Sequence, residues 1–323
     1  KAIQTYFTEG PGSYLQTRLS KELWNDITHF EGNANAFRLL THQFVGRRCG
    51  GFVMTYPTLA SIVKYPFESA VAGNHGKFGF FATERATYQK IADELGIICK
   101  SKPNEPLCYA RYPLVYLVEA ADDICYEIMD IEDAHKLKIL SFQETESLLL
   151  GFFDATTRQN ILNRIEQEGV SDENEKVVYM RACAIGKLEN ECVKVFVEHE
   201  DAILNGTFEK SLIDYIPPLQ HDAYKHCTQV SKERIYQSKP VLDVELSGYK
   251  IMETLMDALV EAAVNPERFH SKQLINRFSS QYDIKSSDLE TRMMAVIDYI
   301  SGMTDIYALD IYQKINGISL PIV

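Results

Sequence analysis

The chain has 323 residues, 46% hydrophobic and 24% charged, enough to build one large domain or two smaller ones. Its net charge of −12 argues against a generally basic nucleic-acid-binding surface, while leaving room for a local basic pocket. Seven scattered cysteines with no CxxC pair argue against a zinc ribbon or a disulfide framework. They fit reduced thiols in a cytoplasmic protein, and no apolar run is long enough to span a membrane. The opening KAIQTYFTEGPGSY has no signal-peptide shape, and it lacks the Met of a natural start.

In chain order, residues 30–45 place Phe30, Ala34, Phe37, Leu40 and Phe44 at spacings of three and four, predicting a helix with one buried face. Residues 46–82 are rich in Gly, Pro, aromatic and basic residues, including KYP and AGNHGKFGFF, which suggests loops held on a scaffold. Helical periodicity resumes at 83–96 and stops at Gly96. Further helices are predicted at 113–137, 142–166, 175–204, 231–239, 244–264 and 287–315, with Asn205-Gly206 as a stop signal. The stretch 210–230, with Pro217-Pro218, reads as an irregular connection. Strand-like alternation is scarce, so the fold is expected to be mainly α.

The segment 113–137 carries a conflict. Leu114, Leu117, Val118, Ala121, Cys125 and Ile128 predict a buried helix, yet acids are threaded among them. Residues four apart share a helical face, so Asp122, Tyr126 and Asp130 form one stripe of carboxylate, phenol and carboxylate. Such a stripe is tolerated in a buried helix when something pairs with the charges. A divalent cation and ligand hydroxyls would do so; acids that simply face water are the competing reading.

The run RYPLVYLVEAADDICYEIMDIEDAH resembles the bacterial deoxyguanosine triphosphate triphosphohydrolase family of the HD superfamily. So do HFEGNANAFRLL at 29–40, LASIVKYP at 59–66, KFGFFATE at 77–84 and DYISGMTDIYALDIY at 298–312, all in the family's order. The resemblance implies a helical HD-type phosphohydrolase with an associated C-terminal helical region. Residues 1–140 would be the C-terminal part of the HD core with its nucleotide-binding loops. Residues 141–323 would complete the pocket and make oligomer contacts.

By resemblance, Asp122 is a metal ligand, and Tyr126 and Asp130 hold the deoxyribose 3′-hydroxyl. Asn33, Lys64, Tyr65 and Lys77 resemble the family's phosphate- and nucleotide-contacting set, for which lysine and amide donors are suitable chemistry. Each has a plainer reading as a local cap, a solvated lysine or a packing tyrosine. Glu245, Arg277 and Arg292 are candidates to reach a base from a neighbouring subunit, with ordinary surface pairing as the competing reading. Ile306 stands where the family often has a basic residue.

The family's isolated histidine, His-Asp dyad and following His and Glu all precede the HFEGN stretch. Only 28 residues precede His29 here and none is histidine. The catalytic His and Glu are therefore expected upstream of Lys1, and this chain alone is expected to be inactive. The pair His221-Asp222 is not taken as the dyad, because it follows Asp122 in sequence and adjoins Pro217-Pro218. The implied reaction is Mn²⁺- or Mg²⁺-dependent hydrolysis of dGTP, or of several dNTPs, to deoxynucleoside and triphosphate. It implies a homo-oligomer, a hexamer in many relatives. The alternative function is a nucleotide-sensing or single-stranded-DNA-binding protein on the same scaffold.

Overall fold

The computed structural model describes residues 1–73 and 76–318. Asn74 and His75, within the expected loop region 46–82, lie outside the described residues. Among those described, every regular element is helical, and β pairing is limited to two isolated bridges, Phe67 with Cys108 and Cys99 with Tyr109. The mainly-α expectation holds.

The chain divides into two compact units: Lys1–Arg111 with Glu245–Val323, and Tyr112–Val244. The boundary expected at 140/141 falls inside the second unit. In the first unit lie α1 (Ala2–Thr8), α2 (Lys21–Thr28), α3 (Gly32–Thr41), α4 (Tyr56–Ile62) and α5 (Arg85–Leu95). The second holds α6 (Val115–Lys136), α7 (Phe142–Leu150), α8 (Ala155–Gln167), α9 (Glu173–Glu198), α10 (Glu200–Leu204) and α11 (Pro218–Val230). The chain continues through α12 (Lys239–Val264), α13 (Phe269–Ile275), α14 (Leu289–Ser301) and α15 (Asp305–Ile315).

Each unit has its own core. In the first, Phe7, Leu15, Ile27, Phe78 and Phe81 pack with Leu255, Met293, Val296 and Ile297, so both ends of the chain build one interior. In the second, Tyr116, Ala120, Ile124 and Ile128 of α6 pack with Val177, Met180, Ala184 and Leu188 of α9. That packing is why α6 belongs with the sequence after it and why the 140/141 division is not the one observed.

Several helix limits follow local chemistry. Gly96 ends α5 in the left-handed region, at φ 65°, as its lack of a Cβ allows. The predicted helix 142–166 is two helices, because Asp154 caps a new start by accepting from the Thr157 N–H. The stretch 287–315 likewise breaks where Thr304 caps α15. The reading of 210–230 as irregular is overturned: Leu212–Tyr215 is a 3₁₀ turn and Pro218 occupies the first position of α11. Proline starts a helix there because the missing N–H would have no intrahelical partner anyway.

Candidate functional site

Helix α6 forms as expected, but with a different face inward. Tyr116, Ala120, Ile124, Ile128 and Ile131 are buried, an inward stripe that turns with the helix. Of the six residues expected to be buried, Ile128 is buried and Leu117 partly so; Leu114, Val118, Ala121 and Cys125 are exposed. The helix is apolar on two faces, and periodicity alone could not choose between them. Asp122 is exposed and Tyr126 is 63% exposed, so no buried charge on Asp122 needs neutralising within this chain. The acids that α6 does bury are Glu119, Glu127 and Glu132. Glu127 accepts from the hydroxyls of Thr228 and Ser231, both at 2.8 Å, and Glu132 pairs with Arg181 at 2.5 Å and Lys136 at 2.7 Å.

Asp130 is half-buried and accepts from the Tyr236 hydroxyl at 2.6 Å. Burial pushes its carboxyl above the ordinary range, and the Tyr236 bond offsets only part of that. The Tyr236 phenol is pushed up by burial, by Asp130 and by Tyr126. Tyr236 thus joins the second and third members of the stripe. Nothing in the sequence marks it, since 106 positions separate it from Asp130.

In the first unit, two candidates meet through an unanticipated acid. Glu31 is buried and accepts from the Lys77 ammonium at 2.6 Å, the Asn33 side-chain amide at 2.8 Å and the Asn33 backbone N–H at 2.6 Å. Burial would raise the Glu31 carboxyl, but the Lys77 and Asn33 donors outweigh it and hold it below the ordinary range. Glu31 caps α3 through that backbone bond.

The loops carrying Lys64, Tyr65 and Lys77 are held against each other. The Gly79 N–H donates to the Phe67 carbonyl at 3.1 Å. A Cβ on Gly79 would collide with the Tyr65 carbonyl oxygen and with Val63 Cγ1. Glycine is required by that close approach. The Lys64 carbonyl accepts from Arg111 Nε at 3.1 Å, and the Tyr65 ring meets Phe67 edge-on.

Three of the motif stretches also meet at one buried cation. Arg38, 3% exposed, forms a two-pronged pair with Asp298 through Nε and Nη2, each at 2.8 Å. Its Nη1 reaches Glu84 at 2.6 Å and Thr83 at 3.0 Å. Burial alone would lower the guanidinium pKa, but the two acids raise it. Arg38 lines a cavity of about 540 Å³, with Asp26, His42, Tyr282, Asp288 and Glu290 on its walls. Asp26 accepts from Ser69 Oγ at 2.6 Å and the Ala82 N–H at 2.8 Å, with no cation paired to it among the described residues. Burial pushes its carboxyl up to about 7.

The candidate base contacts fare differently. Glu245 and Arg277 are exposed. Arg292 is 9% exposed and donates to the backbone carbonyls of Ala263, Ser286 and Ser287 at 2.7–2.9 Å. Surface pairing does not describe it, and its bonded nitrogens serve the packing of its own unit. Ile306 is 83% exposed.

Among the described residues, no group of three or more His, Cys, Asp or Glu side chains lies close enough together to hold a metal ion. Asp122 offers one carboxylate, and a divalent site needs several such donors. The described residues do not by themselves fit a metal centre. His221 and Asp222 lie in the helix α11, not in a loop.

A helical architecture of this kind fits the phosphohydrolase class: residues 216–314 match the model of the phosphohydrolase-associated domain. The chain is 31% identical, over 99% of its length, to a deoxyguanosinetriphosphate triphosphohydrolase-like protein of Pseudomonas aeruginosa (strain LESB58), covering 73% of that protein. It is 32% identical to a protein of the same description from Synechocystis, covering 99% of this chain and 72% of the relative. A deoxyguanosinetriphosphate triphosphohydrolase of Yersinia pestis (strain Pestoides F) is 26% identical over 92% of this chain and 65% of that protein. The chain belongs to the deoxyguanosinetriphosphate triphosphohydrolase-like family. Among the described residues, no helix is long and apolar enough to cross a membrane.

Proposed function

We propose that this protein hydrolyses dGTP, and other dNTPs to a lesser degree, to deoxynucleoside and inorganic triphosphate. The observation that carries the reading is the Glu31 cluster in the first unit. A buried acid presents Lys77 and Asn33 from two motif stretches, beside the loop of Lys64 and Tyr65. Lys64, Lys77 and Asn33 supply charge and amide donors to phosphate oxygens. The Lys77 charge is half-exposed, so solvent and ligand can reach it.

In the second unit, Asp130 is held by Tyr236 and is assigned the sugar 3′-hydroxyl together with Tyr126. Asp122 offers an exposed carboxylate as one donor to a Mn²⁺ or Mg²⁺ ion on this reading. Assembly into a homo-oligomer, a hexamer on this reading, is checked by sedimentation.

The test is product identity. Incubation of the longest natural form of the protein with dGTP and Mn²⁺ should yield deoxyguanosine and triphosphate in equal amounts by ion-exchange chromatography. Release of dGMP with pyrophosphate, or no turnover of any dNTP, would refute the proposal.

A further inference from the structure

Buried cations usually meet carboxylates, because removing a charge from water is costly unless it is paired. Arg38 obeys this and Arg292 does not. Arg292 Nε donates to the Ala263 carbonyl at 2.7 Å, and Nη1 donates to the Ser286 and Ser287 carbonyls at 2.8 and 2.9 Å. Its Nη2 donates to no group among the described residues. Ala263 lies in the last turn of α12, where a cation is favoured, but carbonyl dipoles offset only part of a full charge.

Arg292 lines a cavity of about 630 Å³ with Lys272, Lys285, Asn276 and Ser286, and Glu267 is the one carboxylate on its wall. Lys285 is exposed, and Lys272 pairs at 3.0 Å with Glu267, whose side chain is 89% exposed. Of the two nearest acids along the chain, Glu290 accepts from the Ser20 hydroxyl at 3.1 Å, and Asp288, which feels the Arg292 charge without a direct bond to it, is taken up as the cap of α14. It accepts from the Thr291 N–H and hydroxyl at 2.8 Å each, and it lines the other, acidic cavity. Acids outnumber cations on the wall of that cavity, whereas three cations face one carboxylate on the wall of the Arg292 cavity.

We propose that the Arg292 cavity binds a phosphate-type oxyanion. Arg292 supplies the buried charge and the N–H groups of Nη2, Lys285 adds a second cation from the wall, and Lys272 exchanges its pairing with Glu267 for the anion. Three cations against one carboxylate favour a multiply charged tetrahedral oxyanion over a single carboxylate. The inference does not rest on the nucleotide reading. The anion comes either as free inorganic phosphate or as the phosphate of a nucleotide.

Calorimetric titration of the full chain with orthophosphate, tripolyphosphate and dGMP tests this. One saturable site per chain is expected. Lys272→Gln combined with Lys285→Gln should weaken it about tenfold or more, as for the loss of charge-assisted contacts. Both lysines are exposed, so the melting temperature without anion should not change. Arg292→Lys, which keeps a charge but loses the fork, should weaken binding further. Tighter binding of the inorganic anions than of dGMP identifies the free source, and the reverse order identifies the nucleotide. Absence of saturable binding at millimolar anion, or equal affinity in the double lysine variant, overturns the proposal.

Discussion

Two buried arginines in the first unit solve the same problem in opposite ways. Arg38 is enclosed by Glu84 and Asp298 and carries its own neutralisation, while the hydrogen bonds of Arg292 among the described residues all go to carbonyls. Asp26 is the mirror case, a buried carboxylate held by a hydroxyl and an N–H and paired with no cation among the described residues. A fully paired charge serves the fold. One left without its counter-charge keeps a capacity for something outside the fold, a proton for Asp26 and an anion for Arg292.

The contrast can be broken most severely at Arg38. Arg38→Met strands Glu84 and Asp298 as buried charges, and a loss of about 3–5 kcal/mol is expected in urea denaturation. A loss below about 1 kcal/mol would show that water replaces the arginine and that the pair is not structural.

Asp26 comes next. Its folded carboxyl titrates near 7, above its value in an unfolded chain, so the folded state binds the proton more tightly. Its contribution is therefore most favourable below about pH 4 and is lost as pH rises toward 7, by on the order of a few kcal/mol. Glu84 and Glu68 add to the upward push, with Arg38 and Arg85 paired to them. Asp26→Asn should flatten the stability profile between pH 4 and 7; an unchanged slope would place the titration elsewhere.

Arg292→Met should cost less than Arg38→Met, about 1–3 kcal/mol, because it frees carbonyls rather than carboxylates. Equal losses at the two arginines would erase the distinction. The smallest effect is expected at Lys77→Ala, about 1 kcal/mol or less after solvent screening, because the lysine is half-exposed. Its larger consequence should be weaker dGTP binding, measured by titration with a fluorescent analogue.

Much of the architecture could be read from local signals. Gly96 and Gly206 punctuate the helices where the sequence places them, because glycine's backbone freedom acts over a few residues. Pro217-Pro218 misled, since proline breaks a helix from within and starts one from its first turn, and sequence alone does not say which. The inward face of α6 was misassigned because both of its faces are apolar. Of the site, Asn33 and Lys77 were found through their motifs, but the acid joining them was not, as a glutamate beside a loop is unremarkable. Arg38 and Asp298 lie 260 positions apart, beyond any periodicity. Arg292, by sequence a candidate base contact or a surface group, is an internal residue.

The first unit is discontinuous in sequence, closed by the Arg38–Asp298 clasp and by a core shared between Phe7 and Val296. A ribosome making this chain finishes all of Tyr112–Val244 before it makes α14. The later-numbered unit can therefore acquire its structure first, while the opening segments wait with apolar surface uncovered. Premature termination before α14 would leave those segments without their interior, a natural target for chaperones and proteases.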